Sequence, residues 1–194
     1  ITSVTRDDLA DGGAAHFART IRAVRARSPE TQVEALVPDF GGDEAALDSV
    51  LGASPDVLSH NLETVEVLYP LIRRPAENYG RSLAVLERAH LAGAKTKSGL
   101  MVGLGETAEE VRRAFADLRG VGCDLLTIGQ YLQAAVDCAP VERYYEPEEF
   151  ETLRRAALGL GFAAVTAGPL VRSSYRAEEL YRTAREKGIA SCAT

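Results

Sequence analysis

The chain lacks any close pair of cysteines. Its three thiols, Cys123, Cys138 and Cys192, are irregularly spaced and odd in number, which excludes a disulfide framework and a self-contained metal site and reads as reduced cysteine. No apolar run approaches the ~20 residues that a membrane-spanning helix needs; the longest are stretches such as Leu100 to Leu104. No signal-peptide pattern opens the chain, so a cytoplasmic protein without a membrane partner is expected. Basic excess is missing too. The net charge of -6 argues against nucleic acid as the main partner, since neutralising phosphates calls for a basic field on the binding face. There is no nucleotide-triphosphatase phosphate loop, no zinc-spaced His/Cys cluster and no aromatic platform for bases. What is present, in 194 residues, is 46% hydrophobic and 26% charged, the balance of an ordinary globular domain with a real core.

Apolar runs rich in branched residues recur at Ile1–Val4, Gln32–Val37, Val57–Ser59, Lys95–Val102, Leu125–Ile128 and Ala164–Thr166, and helical spacing fills the gaps between them. Phe17, Ile21 and Val24 fall on one helical face, as do Leu83, Leu86 and Ala89, and again Val111, Phe115 and Leu118. Thr107 and Glu110 have capping-box spacing, and Pro147 with Glu148 and Glu149 opens another helix. Gly93, Gly120, Gly122 and Gly161 stand near the helix ends, where a left-handed cap suits glycine. No linker divides residues 1–194, so a single α/β domain is expected. The alternation fits either an open doubly wound sheet or a partial barrel. In both, ligands gather at the C-terminal ends of the strands.

The residues beyond the strands are therefore the candidates for chemistry. After the first run come Thr2, Ser3, Thr5, Arg6, Asp7 and Asp8, followed by Gly12 and Gly13; they read either as a helix-capping loop or as a site for a small zwitterionic ligand. After the third come His60, Asn61 and Glu63, with amide and carboxylate suited to an amino-acid moiety or a ribose and a histidine of the kind most often satisfied structurally. Lys97 lies within an apolar strand, which is costly unless its ammonium reaches a cleft or a carboxylate. A lysine at a strand end is also what a Schiff-base aldolase would need. Gly103-Leu104-Gly105 invites comparison with a dinucleotide fingerprint, but Ala108 stands where the third glycine belongs and no isolated βαβ unit surrounds it.

Taken together, six strings resemble lipoyl synthases, a family of radical S-adenosylmethionine (SAM) enzymes. They are Ile1 to Ala14, Val37-Pro-Asp-Phe40, His60 to Val65, Thr96 to Thr107, Ile128 to Gln133 and Val171-Arg-Ser-Ser-Tyr175, in the family's order and covering nearly the whole chain. The resemblance implies a partial (βα)6 barrel of the radical SAM type, truncated at its N-terminus, with a C-terminal extension from about residue 145. It implies two [4Fe-4S] clusters and SAM in the intact parent, whose cysteine ligands are absent here, so this piece alone is expected to be inactive. SAM is expected at Thr2, Ser3, Asn61, Glu63, Lys97 and Ser98. Substrate is expected at Arg172 and Gln130, and Ser174, the second serine of Arg-Ser-Ser-Tyr, as an iron ligand of the auxiliary cluster. The implied partners are octanoylated lipoyl-carrier domains, the E2 components of 2-oxoacid dehydrogenases and the glycine cleavage H protein. One segment departs from the family. Ala134 to Cys138 replaces a proline, a hydroxyl residue and a histidine, which admits a non-catalytic or paralogous barrel that binds an acylated carrier.

Overall fold

A computed structural model describes residues 1–191. Five of the six apolar runs form one parallel sheet. Its strands are β1 (Glu34–Leu36), β2 (Val57–Ser59), β3 (Lys95–Val102), β4 (Leu125–Gln130) and β5 (Ala164–Gly168), adjacent in chain order. That order distinguishes the architectures left open by the sequence, because a doubly wound sheet reverses its strand order at a switch point whereas a barrel adds strands in sequence. The fold is α/β with a partial-barrel arrangement. The run Ile1–Val4 does not form a full strand: it adds one parallel bridge, Thr2 to Leu36, at the β1 edge. Having a neighbour on one side only, it is fastened by Ile1 N–H to the Glu34 carbonyl (2.7 Å) and Leu36 N–H to the Ile1 carbonyl (2.9 Å).

The crossover helices are α1 (Ala14–Arg27), α2 (Glu44–Leu51), α3 (Glu77–Leu91), α4 (Ala108–Gly120) and α5 (Pro147–Gly159); α6 (Ala177–Ser191) follows β5. Strand side chains alternate between faces, and the core divides accordingly. Ala35 and Leu58 pack with Phe17, Ile21, Leu47 and Val50 of α1 and α2, while Leu100, Val102, Leu126, Ile128 and Val165 pack with Leu86, Val111, Phe115 and Phe150 of α3 to α5. The opposite, inward face is closed at the other end by α6, whose Leu180 and Ala184 meet Val57, Leu125 and Ala164. The segment expected as an extension from about residue 145 thus supplies α5, β5 and this interior helix.

Thr107 caps α4 with both halves of the capping box, and Pro147 opens α5. Gly93, Gly122 and Gly161 adopt left-handed φ values of 82°, 80° and 94°. Gly120 does not: it is the last residue of α4, and the left-handed cap falls two residues later.

Candidate functional site

Beyond the apolar layer filled by α6, the inward face turns polar. Lys97 points into it from the middle of the sheet and is fully buried (0% exposed). Its ammonium has three protons and three acceptors: Glu34 Oε1 at 2.9 Å, Glu34 Oε2 at 3.0 Å and the Ser173 carbonyl at 2.5 Å. The expectation that a lysine here must find a carboxylate is met by β1. This commitment also disfavours a Schiff-base role, since an ammonium donating all three protons to acceptors has no lone pair with which to attack.

Two glycines missed as functional in the sequence shape this interior. A Cβ on Gly99 of β3 would stand 2.7 Å from Asn61 Oδ1, and one on Gly129 of β4 would collide with the Val171 carbonyl and crowd the Arg172 guanidinium. Bare backbone at Gly99 therefore admits the Asn61 side chain, and at Gly129 it admits the turn leading into Arg172-Ser173-Ser174. Glycine inside a strand was the available signal, because it marks close approach by another group.

A cleft of about 580 Å³ opens at the C-terminal ends of β1 and β2. It is lined by Thr2, Ser3, Asn61 and Glu63, with Asp39 and Arg74 among the charged groups around them. Four of the six residues expected to contact SAM thus share one mouth. Glu63 reaches it through a left-handed backbone (φ 73°), held by its N–H to the Gly99 carbonyl (3.0 Å) and its carbonyl to the Met101 N–H (2.7 Å). Burial pushes its carboxyl above the usual range, an effect partly offset by Arg74, whose Nη2 is 3.8 Å away. Lys97 lies outside the cleft lining, one hydrogen bond removed: it holds the Ser173 carbonyl, and Ser173 Oγ donates to Asn61 Oδ1 at 3.1 Å. Ser98 is buried on the helix-facing side of β3, where its hydroxyl accepts from the Leu62 N–H at 3.1 Å.

Gln130 is also buried (3% exposed). Its Nε2 donates to the Tyr131 and Arg143 carbonyls (3.1 and 3.0 Å) and its Oε1 accepts from the Tyr145 N–H (3.0 Å), so it ties the end of β4 to the strap leading into α5. Arg172 and Ser174 are exposed. Arg172 Nη1 lies over Gly129 and donates to the Val171 carbonyl at 2.7 Å.

His60 is satisfied structurally. It bridges the Val37 carbonyl (2.9 Å) and Ser82 Oγ (3.0 Å), which makes Nδ1 the donor and Nε2 the acceptor from the serine hydroxyl, and burial lowers its pKa. The Gly103-Leu104-Gly105 loop offers no phosphate cradle. The amides of Gly103 and Leu104 already donate to the Glu106 carboxylate at 2.6 and 2.9 Å, and Tyr145 Oη adds a third bond at 2.8 Å.

Among the described residues no three His, Cys, Asp or Glu side chains gather as a metal site, and no helix is long and apolar enough to cross a membrane. Cys123 is buried, and its thiol is pushed up to about 12, mainly by burial, the reverse of what a thiolate ligand requires. Cys192 lies outside the described residues.

A sequentially ordered parallel sheet with a polar mouth at its C-terminal edge defines a partial-barrel class, and the Radical SAM superfamily model matches residues 1–118. The chain belongs to the radical SAM superfamily. Within it, the chain is similar to lipoyl synthases. It is 58% identical over 182 residues to that of Chlorobaculum parvum (92% of this chain, 61% of the relative) and 56% identical over 191 residues to that of Pyrobaculum calidifontis (97% and 66%). Against the lipoyl synthase of Mycobacterium avium the figures are 55% over 184 residues (95% and 60%). The chain thus spans 60 to 66% of the length of these curated relatives. Two solved structures share its fold. They are an HMG-CoA lyase from Brucella melitensis (TM-score 0.52, 15% identity, 92% of this chain and 70% of that one) and the radical SAM methyltransferase TsrM from Kitasatospora setae, determined with cobalamin and a [4Fe-4S] cluster (TM-score 0.51, 12% identity, 89% and 49%).

Proposed function

We propose that this chain, joined to the cysteine motifs it does not contain, forms a lipoyl synthase that inserts two sulfur atoms into a protein-bound octanoyl chain. The observation that carries this is identity of 55 to 58% to lipoyl synthases over more than nine-tenths of the chain. The acylated carriers are the E2 components of 2-oxoacid dehydrogenases and the glycine cleavage H protein, and the setting is the cytoplasm.

The cleft suits SAM chemically: the hydroxyls of Thr2 and Ser3, the amide of Asn61 and the carboxylate of Glu63, with Arg74 beside it, can pair with a zwitterionic amino acid and a ribose. In this reading Lys97 and Ser98 serve SAM from behind, by fixing the loops, and Gln130 serves the substrate by holding the strap beside it. Arg172 faces the substrate, and Ser174 supplies an oxygen ligand to the auxiliary one of two [4Fe-4S] clusters. When bound, one cluster supplies the electron that cleaves SAM and the other supplies sulfur. The cysteine content of the described residues fits neither cluster, so both need ligands from outside this chain. The Ala134–Cys138 segment favours a second reading, a non-catalytic barrel that binds an acylated carrier.

Variants of the full-length protein carrying both clusters separate the roles. Ser174→Ala should leave SAM binding unchanged by calorimetry while lowering lipoyl product by about tenfold or more, as loss of a metal-site group does. Ser174→Cys should retain the cluster but release its iron more slowly, because thiolate holds iron more tightly than an oxygen does. Asn61→Leu should weaken SAM binding. Full-rate product from both Ser174 variants would remove Ser174 as the ligand, and an active-site cluster without any product would favour the non-catalytic reading.

A further inference from the structure

The Lys97 ammonium, from within β3, and the Asn61 amide, from just past the end of β2, meet on a single residue of the β5–α6 loop. Lys97 Nζ takes the Ser173 carbonyl at 2.5 Å, and Asn61 Oδ1 takes its hydroxyl at 3.1 Å. Each partner is itself fixed. Lys97 is anchored by both oxygens of Glu34, and Asn61 sits in the space that Gly99 leaves open. On the other flank, the Val171 carbonyl rests on the bare backbone of Gly129. Among the described residues the rest of the loop makes bonds to near neighbours, Val171 N–H to Gly168 (3.1 Å), Arg172 Nη1 to the Val171 carbonyl (2.7 Å), Tyr175 N–H to Arg172 (2.8 Å) and Ala177 N–H to Ser174 (3.4 Å), and Arg172, Ser174 and Tyr175 are exposed. A short, largely exposed loop held by bonds to near neighbours samples many arrangements. Two charge-assisted or buried bonds converging on one residue select one of them.

We propose that Ser173 is a positioning residue: gripped at its carbonyl by Lys97 and at its hydroxyl by Asn61, it fixes where the neighbouring Ser174 oxygen stands over the barrel mouth. The buried Lys97–Glu34 pair is the fixed point of this latch and Asn61 is its link to the cleft. The consequence for chemistry rests on Ser174 being an iron ligand, whereas the latch itself does not.

Hydrogen exchange on the 194-residue chain tests the latch without any cluster. Ser173→Ala should speed exchange at the Val171 and Tyr175 amides by about tenfold, the factor carried by one hydrogen bond of ordinary net strength, with β3 and β4 amides unchanged. Ser173→Thr, which keeps the hydroxyl, should restore protection. Lys97→Met combined with Glu34→Gln removes the carbonyl grip without stranding a buried carboxylate, and it should loosen the same two amides. In the full-length, cluster-bearing protein, Mössbauer spectra of Ser173→Ala should show a reduced fraction of oxygen-ligated iron, again restored by threonine. Unchanged loop exchange in Ser173→Ala and in the double variant would overturn the latch. A loosened loop with an unaltered iron spectrum would leave the latch standing and overturn its service to Ser174.

Discussion

At Glu63 both the backbone and the side chain are held in costly states. A non-glycine residue at φ 73° stores roughly 1–3 kcal/mol that the surroundings must offset. Here they do so through the paired bonds to Gly99 and Met101 on β3. The side chain is lifted out of the usual carboxylate range by burial, with Arg74 pulling the other way. The sign follows directly. A carboxyl whose folded pKa lies above its unfolded value contributes stability below the ordinary glutamate pKa, and that contribution is lost as pH rises through the folded value. A carbon-detected NMR titration of the Glu63 carboxyl should therefore find its midpoint above the ordinary glutamate value, and Arg74→Leu should move it higher still by removing the one opposing cation. A midpoint at or below the ordinary value would mean that hydration and Arg74 together outweigh burial at Glu63. A carboxyl so incompletely solvated gains from any cation that enters the cleft, as it does from Arg74.

Among the elements, α4 has the most completely written start. Thr107 Oγ1 accepts from the Glu110 N–H at 3.2 Å and the Glu110 carboxylate accepts from the Thr107 N–H at 2.7 Å, so two otherwise orphaned donors are paired. Thr107→Ala should cost ~1 kcal/mol, lowering the thermal midpoint by roughly 2–4 °C for a chain of this size, as calorimetry would show; an unchanged midpoint would mean that α4 is held by packing alone. Local signals of this kind explain what was legible from sequence. The long central strand at Lys95–Val102, the faces of α1, α3 and α4, and the Pro147 start need only near neighbours in the chain, and each appears as expected. The edge run Ile1–Val4 did not become a full strand because a strand is completed by its partners, which local composition does not contain. The tasks of Gly99 and Gly129 were illegible for a related reason: each makes room for a group 38 to 42 residues distant in the chain, Asn61 in one case and Val171 in the other. Lys97 falls between these cases. Its need for a counter-charge could be argued from its apolar strand, but Glu34 as the answer required the sheet order.

On the scale of the whole molecule, the two outer core clusters join every crossover helix to the sheet, and α6 fills the inner face at one end. The chain therefore has the cohesion of a folded body, with a polar mouth at the C-terminal ends of its first strands. A [4Fe-4S] cluster is held by about four thiolates. The chain has three cysteines in all, and of the two described, Cys123 is buried with its thiol pushed up to about 12 and Cys138 stands on the strap after β4. Cys123 is separated from the mouth by the sheet, since it packs with the outer cluster around Phe115 and Phe162. Anaerobic reconstitution of this 194-residue chain with iron and sulfide should thus give a colourless protein, with well under one stably bound [4Fe-4S] cluster per chain and no cleavage of SAM on addition of a strong reductant. Circular dichroism on the same sample should show native helix and sheet, so that a lack of iron is not mistaken for a lack of fold. A stable brown product with about four irons per chain would show that ligands other than these thiols can build a cluster here, and would require the metal chemistry to be sought within the chain itself.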